Sequence, residues 1–545
     1  MKARTDSDSA VIDLSHEDEV SLLKGTERQS GSINIRVDRN EGHGSRNSKR
    51  QRSEQSACVL ERAACPLRLL RTKGIASSYN EGTVSLDDIF QGKVDFAIVG
   101  NFMIDPVWLL SACPQLSSIP CIQVFVHHYE AASDLLDLPN FRMHRPPLPT
   151  DWGSHHTKMF ILVFSDDTPG IWTRIRVCVH TANLIYSDFN NKTQGCWFQD
   201  FPKKGPAASA STPRFEDELV EYMSKLGWSG ATWGAEDGAR SFCVQDLRKF
   251  DFSAAQVRLV ASVPGTFRGP HMHKWGHLKL RALLQAEQFE PEFEGAPAVC
   301  QFSSLGSLDA NWLEDFHQSL SSGRNKPLDT PLRPGRLQLI WPTVNNVRLS
   351  SEGYQAGCSI PGNKKNVLKE TTVGRGKLQR REKLLLGLMH SWVANDSGRQ
   401  HAMPHIKSYT RYSDSDPSHL AWFCLTSANL SKAAWGQTQL QGRQFSIHSY
   451  ELGVLFAPST LKKRMQTNPW ANGADSVGED HGGQNANICN WTAYLQVPYS
   501  LPPKPYVDGE DSPWIVDADI IHPLKDAWGN CQVGLRENYY GKLQD

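Results

Sequence analysis

Residues 154–164 read Ser-His-His-Thr-Lys-Met-Phe-Ile-Leu-Val-Phe, an H-x-K triplet that leads directly into an apolar segment. An S/T-A-N-L motif follows that segment, and the whole cassette occurs a second time later in the chain. The two copies comprise His156, Lys158 and Thr181-Ala182-Asn183-Leu184, and His405, Lys407 and Ser427-Ala428-Asn429-Leu430. A lone H-x-K triplet is more often a surface pair than a catalytic one, but two copies with matched asparagines reverse that expectation.

Each H-x-K triplet is predicted to lie on a strand. Because a strand alternates its side chains, the histidine and the lysine project from one face, roughly 7 Å apart. Two such faces brought together form a pocket with two imidazoles, two ammonium groups and two amides. These groups suit a phosphodiester anion, since they supply a nucleophile, an acid and positive charge. The duplication therefore predicts a site between two related halves that needs no metal or other cofactor.

Length and charge fit a two-part enzyme but do not identify a partner. At 545 residues the chain is too long for one core and fits two large domains plus a tail. Because 58 basic residues balance 58 acidic ones, net charge neither supports nor excludes a nucleic-acid partner. The 12 cysteines form no C-x-x-C pair, which is typical of a reduced intracellular protein. No apolar stretch reaches roughly 18 residues, so we expect no membrane span.

Residues 1–56 are predicted to be a disordered tail, because they are rich in charged and small residues and contain no aromatic residue. The segment Val11-Ile12-Asp13-Leu14, followed by acidic residues, has the form of a strand that adds to a partner's sheet edge. It resembles a SUMO-interacting motif, although so short an apolar pattern also arises by chance. The basic cluster in residues 46–52 favours a nuclear localisation signal over a merely solvated stretch.

Beyond the tail, apolar runs between turn signals predict alternating strands and helices. Residues 95–100 and 122–126 are predicted to be buried strands, and a helix is predicted to begin at Asp105. A second helix, ending at Gly227, is predicted from the spacing of Phe215, Leu219, Tyr222, Met223 and Leu226. The fold class is therefore α/β, with two similar α/β sandwich domains at residues 57–265 and 266–545. An insert at residues 468–487, rich in Gly, Asn and Asp, is predicted to be a surface loop.

The motifs around the two cassettes resemble those of the tyrosyl-DNA phosphodiesterases, a branch of the phospholipase D superfamily. The likeness extends from about Cys58 to about Gly534. It is carried by Ser154-His-His-Thr-Lys-Met, His180-Thr-Ala-Asn-Leu-Ile, Lys192-Thr-Gln-Gly-Cys-Trp, Phe302-Ser-Ser-Leu-Gly-Ser-Leu, Ala402-Met-Pro-His-Ile-Lys, Thr426-Ser-Ala-Asn-Leu-Ser-Lys-Ala-Ala-Trp-Gly and Ser449-Tyr-Glu-Leu-Gly-Val-Leu-Phe. Superfamily members in general have an aspartate five residues after the lysine, whereas this chain has Val163 and Tyr412. That departure is the pattern of the tyrosyl-DNA branch and argues against a lipase.

The resemblance implies two phospholipase D-like domains related by pseudo-two-fold symmetry, with one histidine from each at the reacting phosphorus. It implies that His156 attacks the 3′ phosphate to give a phosphohistidine and that His405 protonates the departing tyrosine oxygen. The groups implied around the nonbridging oxygens are Lys158, Lys407, Asn183 and Asn429. His155 and His180 lie in the same motifs, but alternation sends His155 to the other face, so both are expected to give support.

Each catalytic imidazole also needs a partner that fixes its tautomer. Gln194 and Glu451 occupy matching places in the two halves and are the candidates. We expect Glu451 behind His156, because a carboxylate offsets the positive charge of a phosphoimidazolium. Gln194 is then expected behind His405.

The resemblance also indicates residues that hold DNA. It implies phosphate contacts from Ser304, Ser307, Ser431 and Lys432, and aromatic surfaces against bases from Trp152 and Phe102. Phe102 would fit equally well as a core residue. A further basic candidate is the stretch Arg375, Lys377, Arg380, Arg381 and Lys383, for which a solvated helix face is the alternative.

Together these features predict a monomeric nuclear DNA repair hydrolase. The expected substrate is single- or double-stranded DNA that carries a topoisomerase I peptide on a 3′-phosphotyrosyl end, with other 3′ adducts as further substrates. Another nuclease or lipase of the phospholipase D superfamily would share the His/Lys pairs. A noncatalytic, SUMO-tethered DNA-binding scaffold would not need them.

Overall fold

The computed structural model describes residues 66–166, 170–205, 214–234, 238–326, 330–373, 380–467, 492–518 and 524–531. The predicted tail, its SUMO-like motif and its basic cluster lie outside the described residues, as does the predicted loop at 468–487. Among the helices that are described, none is long and apolar enough to cross a membrane.

A seven-stranded sheet forms the first half. Its strands are β1 (Arg68–Leu69), β2 (Val94–Asn101), β3 (Ile122–Val126), β4 (Phe141–His144), β5 (Met159–Ser165), β6 (Trp172–His180) and β7 (Gly195–Pro202). They lie in the order β1-β7-β6-β5-β2-β3-β4, with β3 parallel to β2 and β4 and the other neighbours antiparallel. All residues of β2, β3 and β5 are buried, as their continuous apolar runs predict for strands covered on both faces. A hairpin of β8 (Gly230–Trp233) and β9 (Arg240–Cys243) follows.

A nine-stranded sheet forms the second half and repeats the same plan. The remaining strands are β10 (Arg258–Ser262), β11 (Gly265–Arg268), β12 (Ala298–Gln301), β13 (Leu337–Ile340), β14 (Glu370–Val373), β15 (Arg380–Lys383), β16 (Met389–His390), β17 (Ser408–Tyr412), β18 (His419–Thr426), β19 (Gln437–Gln439), β20 (Gln444–Ile447), β21 (Glu451–Phe456), β22 (Arg464–Thr467) and β23 (Thr492–Leu495). The order β10-β21-β18-β17-β12-β13-β16 matches the first sheet strand for strand, and β22 and β23 extend it beside β18. Parallel pairs again join β12 to β13 and β13 to β16. The duplication of the cassette is thus a duplication of the fold, and the α/β prediction is confirmed.

The first strand of the second sheet lies before the predicted domain boundary, which is between residues 265 and 266. Strand β10 pairs with β21 from Arg258 to Ser262, so these residues belong to the second sheet. Strand β10 therefore lies on the first side of the predicted boundary and pairs in the second sheet, because a short apolar run contains no signal that says which sheet it will join.

Helices cover the sheets. The α-helices are Leu86–Phe90, Pro106–Ala112, Tyr186–Asn190, Arg214–Lys225, Gly276–Ala286, Ala310–Leu320, Val344–Arg348, Lys364–Val367, Lys432–Trp435 and Pro458–Leu461. Both helices predicted from the sequence are present. Asp105 caps the helix Pro106–Ala112 by accepting the N–H of Trp108 at 3.0 Å. Helix Arg214–Lys225 is followed by Gly227 at φ +79°, the left-handed conformation that glycine tolerates best.

The two halves are fused through a shared hydrophobic core. One continuous cluster contains buried residues of both sheets, such as Val177 of β6 and Val454 of β21. Gly195, at the start of β7, lies at the interface between the two halves, which we call the joint. A Cβ atom there would stand 2.5 Å from Leu425 Cδ1 and 2.8 Å from Ile406 Cδ1. A side chain at this position would displace Leu425 and Ile406, so glycine lets the second half pack closely here.

Candidate active site

Both H-x-K triplets lie immediately before a strand and not within it, which corrects the prediction. His156 and Lys158 precede β5, and His405 and Lys407 precede β17. The reason is their backbone pairing across the joint. The N–H of His156 donates to the carbonyl of Tyr450 at 3.0 Å, and the N–H of His405 donates to that of Thr193, also at 3.0 Å. Each triplet is therefore held by the other half of the molecule.

The S/T-A-N motifs complete the same edge of each sheet. Thr181 follows the end of β6 and Ser427 follows the end of β18. Because β5 and β6 are antiparallel, as are β17 and β18, the start of one strand lies beside the end of the next. Residues far apart within each cassette thus meet at one edge, and the joint brings the two edges together.

Because the backbone of each half pairs with the triplet of the other half, each half also supplies a polar side chain to the other half's histidine. Tyr450 directly precedes Glu451, whose Oε2 lies 3.1 Å from Nδ1 of His156. Thr193 directly precedes Gln194, whose Nε2 lies 2.9 Å from Nδ1 of His405. In both histidines Nδ1 thus has a polar partner from the other half of the molecule.

Glu451 is buried and tightly held. It accepts a hydrogen bond of 2.5 Å from Oγ of Ser427, and Thr181 donates to Gln194 in the same way at 2.7 Å. Burial raises the pKa of Glu451 to about 7, although Ser427 and the nearby lysines act to lower it. An ionised Glu451 accepts a hydrogen bond from Nδ1–H of His156, which leaves the lone pair of this histidine on Nε2. The charge state of Glu451 is therefore coupled to the tautomer of His156.

The two lysines are fully buried and fixed by the backbone of their own triplets. Nζ of Lys158 donates to the carbonyl of His156 at 3.1 Å. Nζ of Lys407 donates to the carbonyl of His405 at 2.7 Å and lies 3.1 Å from its Nε2. Two ammonium groups beside two imidazoles form a preorganised site for an anion.

The second-cassette asparagine, Asn429, is partly buried and has a defined orientation. Its Oδ1 accepts the backbone N–H groups of Ser303 and Ser304, at 3.2 and 3.0 Å. The amide oxygen is therefore occupied, so Nδ2 is the group left to donate to a ligand. Asn183 is 2% exposed, and its backbone N–H donates to Asp188 Oδ2 at 2.6 Å.

His155 and His180 support the site without adding charge. Nδ1 of His155 lies 3.2 Å from the carbonyl of Asn101, and His180 stacks on Phe160 with ring centroids 4.7 Å apart. Burial lowers the pKa of each imidazole to about 3, so both are neutral near pH 7. Their contribution is to the packing behind the triplets.

The chain's similarity to known proteins agrees with this geometry. Residues 66–507 match the model of the tyrosyl-DNA phosphodiesterase family. The chain belongs to that family. It is 40% identical over 515 residues to tyrosyl-DNA phosphodiesterase 1 of Arabidopsis thaliana, a match that covers 89% of this chain and 80% of the plant protein. It is 31% identical over 458 residues to tyrosyl-DNA phosphodiesterase 1 of Drosophila melanogaster, with 80% of this chain and 70% of the fly protein covered.

A solved structure supports the fold independently. The crystal structure of the yeast tyrosyl-DNA phosphodiesterase superposes with a TM-score of 0.58 at 18% identity, covering 83% of this chain and 100% of the yeast chain. At that identity the likeness speaks for the fold alone. Membership of the tyrosyl-DNA phosphodiesterase family identifies the chain as a phosphodiester hydrolase.

Phe102 does not have the role that resemblance to the tyrosyl-DNA phosphodiesterases implied. It is 1% exposed and so offers no surface on which a base can stack. Its ring stands edge-on to His156 at 5.0 Å and stacks on His127 at 5.2 Å. The Phe102 ring therefore packs against the imidazole of His156. An aromatic residue in an apolar stretch gives no sequence signal that separates these two roles. Trp152, by contrast, is 49% exposed.

The candidate phosphate contacts of this family member come together beside the second cassette. An isolated β-bridge between Leu305 and Leu430 places residues 303–307 beside residues 429–432. The four side chains already have protein partners. Ser304 Oγ donates to Pro361 O at 3.4 Å, Ser307 Oγ accepts from Lys369 Nζ at 3.2 Å, Ser431 Oγ accepts from Ala434 N at 3.1 Å, and Lys432 Nζ pairs with Asp309 Oδ2 at 2.5 Å. A DNA phosphate that binds here would have to share these four side chains with their present protein partners.

The described end of the basic stretch is a strand and not a helix. Residues 380–383 form β15, which pairs with β14, and Lys383 donates to Glu370 at 2.7 Å. The helical alternative is therefore wrong for residues 380–383. Arg375 and Lys377 lie outside the described residues.

Sequence reasoning missed Asp188. It is 1% exposed, and its Oδ2 lies 3.1 Å from Nδ1 of His405. The available signal was a difference between the cassettes: Asp188 stands five residues after Asn183, where the second copy has Ala434 five residues after Asn429.

Proposed function

We propose that this chain hydrolyses the 3′-phosphotyrosyl bond that joins DNA to remnants of topoisomerase I, and other adducts at DNA 3′ ends. The observation that supports the proposal is that each H-x-K triplet is held at the joint by the backbone of the other half, with Glu451 at Nδ1 of His156 and Gln194 at Nδ1 of His405. In-line displacement at phosphorus requires a nucleophile and an acid on opposite sides.

The first step forms a covalent intermediate. Nε2 of His156 attacks the phosphorus, the P–N bond forms, and the bond between phosphorus and the tyrosine oxygen breaks. The tyrosine oxygen takes a proton from His405. The Nδ1–H of His156 donates a hydrogen bond to Glu451, whose carboxylate offsets the positive charge of the phosphoimidazolium. The nonbridging oxygens lie among Lys158, Lys407 and the two cassette asparagines, which stabilise the charge of the transition state.

The second step reverses the roles of the histidine pair. Water attacks the phosphorus and gives its proton to His405, and the P–N bond breaks. The products are DNA with a 3′ phosphate and free His156. His405 thus serves as the acid in the first step and as the base in the second.

The test is cleavage of a 5′-labelled oligonucleotide that carries a 3′-phosphotyrosine, beside a phosphatidyl lipid as the alternative substrate. We expect release of a 3′-phosphate oligonucleotide and no lipid hydrolysis. Lipid hydrolysis would favour another branch of the phospholipase D superfamily, and no turnover of either substrate would favour a DNA-binding scaffold.

The reaction is expected to survive EDTA. Two buried lysines and two asparagines hold the place that a divalent ion would otherwise take beside the phosphoryl oxygens. The measurement is the single-turnover rate before and after chelation, with expected changes below about twofold. A large loss that Mg²⁺ or Zn²⁺ restores would contradict the mechanism.

We further propose that the protein acts in the nucleus as a monomer and that its tail binds SUMO. Removal of residues 1–55 is expected to leave hydrolysis nearly unchanged, because all of the candidate site residues follow residue 100, and to weaken SUMO binding. The sharper variant is Ile12→Ala with Leu14→Ala, since both residues belong to the strand-like segment, and Leu22→Ala with Leu23→Ala in the same tail is the matched control. An unchanged SUMO titration for the first pair would show that the motif is a chance pattern.

A further inference from the structure

Asp188 is a buried carboxylate placed directly against the second histidine. It belongs to the short helix Tyr186–Asn190 that follows the first S/T-A-N motif. Its Oδ2 lies 3.1 Å from Nδ1 of His405 and 2.6 Å from the backbone N–H of Asn183. A carboxylate that is 1% exposed costs free energy unless it is paired, so these contacts determine where its charge acts.

The pseudo-symmetry of the molecule shows what Asp188 adds. The crossed arrangement gives His156 a carboxylate, Glu451, but gives His405 only the neutral amide of Gln194. Asp188 supplies the missing carboxylate from the first cassette, and Ala434 at the matching place of the second cassette supplies none. Each imidazole thus has one carboxylate at Nδ1, although the two come from different places in the repeat.

The contacts of His405 also select a tautomer. Nζ of Lys407 lies 3.1 Å from Nε2, and an ammonium group can only donate, so Nε2 presents its lone pair. Nδ1 then carries the proton, and Asp188 is its charged acceptor. The Gln194 amide can turn its oxygen toward Nδ1, because the Thr181 hydroxyl at its other end can donate or accept.

Asp188 is the negative group in an otherwise positive surrounding. The charged and titratable groups that face this pair are Lys407, Lys158 and His180. The pKa of His405 is lowered to about 4, chiefly by burial; both lysines act in the same direction, and Asp188 opposes them by raising it. We propose that Asp188 is a positioning residue that holds the proton of His405 on Nδ1 and stabilises the imidazolium through which His405 passes. This inference rests on the proposed function, in which His405 is the acid and then the base.

The test compares Asp188→Asn with Ser187→Ala, a control in the same helix, on two oligonucleotides with a 3′-phosphotyrosyl or a 3′-(4-nitrophenyl phosphate) end. Loss of the carboxylate is expected to slow tyrosyl release by about 10- to 100-fold at neutral pH. Because the pKa of His405 falls, the fraction of the acid form at neutral pH falls too, and the rate optimum moves to lower pH. The 4-nitrophenyl group leaves with little protonation, so its release is expected to be much less affected.

A structural role for Asp188 would give a different result. Equal losses for both leaving groups with an unchanged pH profile, or no loss in a folded Asp188→Asn protein, would overturn the inference. If that variant does not fold, ¹⁵N-histidine spectra of the wild-type protein, with His405→Asn to assign the signal, still decide the tautomer. A proton on Nδ1 supports the inference and a proton on Nε2 overturns it. If the wild-type protein cleaves neither oligonucleotide, the proposed function fails while the tautomer result stands.

Discussion

Replacement of His156 by alanine is expected to lower 3′-phosphotyrosyl cleavage by about 10⁴-fold or more, since removal of a nucleophile leaves only binding and charge stabilisation. The remaining imidazole cannot take over, because the protein fixes His405 on the opposite side of the phosphorus in the proposed reaction. The measurement is a single-turnover rate with 5′-labelled DNA, and a denaturing gel should show no protein-linked band.

Two companion variants separate loss of the nucleophile from loss of structure. Alanine also leaves the buried carboxylate of Glu451 without its imidazole, which destabilises the fold. His156→Gln retains a polar group opposite Glu451 and should be equally inactive, whereas His271→Ala, at an exposed histidine, should be fully active. A protein-linked DNA band with His156→Ala would show that another residue is the nucleophile.

The sequence predicts those parts of the fold that depend on local pattern. Strand β3 occupies the predicted residues, and helix Pro106–Ala112 begins after the predicted cap at Asp105. Apolar runs and caps are determined by burial and by nearest neighbours along the chain, and both are visible in a sequence. The repeat of the cassette likewise predicts two related halves, and the two sheets have the same strand order.

Features that depend on contact between the halves could not be predicted with the same success. The H-x-K triplets lie ahead of their strands because their backbone partners, Tyr450 and Thr193, come from the opposite half. Strand β10 joins the second sheet for a comparable reason, since its partner β21 lies far along the chain. Periodicity within a segment does not contain this information.

Two site residues illustrate the same limit. Phe102 is buried and offers no surface for stacking on a base, because β2 and the turn after it place its ring against His156. Asp188 reaches His405 only through the turn from the first S/T-A-N motif into helix Tyr186–Asn190. The comparison of the two cassettes could have found Asp188, because a carboxylate present in one copy and replaced by alanine in the other indicates a role specific to one half.

Replacement of His405 by alanine is expected to slow both steps unequally and to trap the intermediate. In the first step the leaving group is a phenol with a pKa of about 10, which departs with only partial protonation. In the second step water, with a pKa of roughly 15.7, is a poor nucleophile without a general base. The first step should therefore slow by about 10²- to 10³-fold and the second by more, so DNA-linked protein accumulates.

The bond in that species identifies the attacking residue. A phosphohistidine is a P–N phosphoramidate, which is labile in acid and stable in alkali, so brief acid treatment should release the label from the His405→Ala protein. His156→Ala combined with His405→Ala should abolish the band, because the nucleophile is then absent. An acid-stable band would identify a serine, threonine or tyrosine ester instead, and a His405→Ala protein that turns over DNA without any band would show that a group other than His405 activates the water.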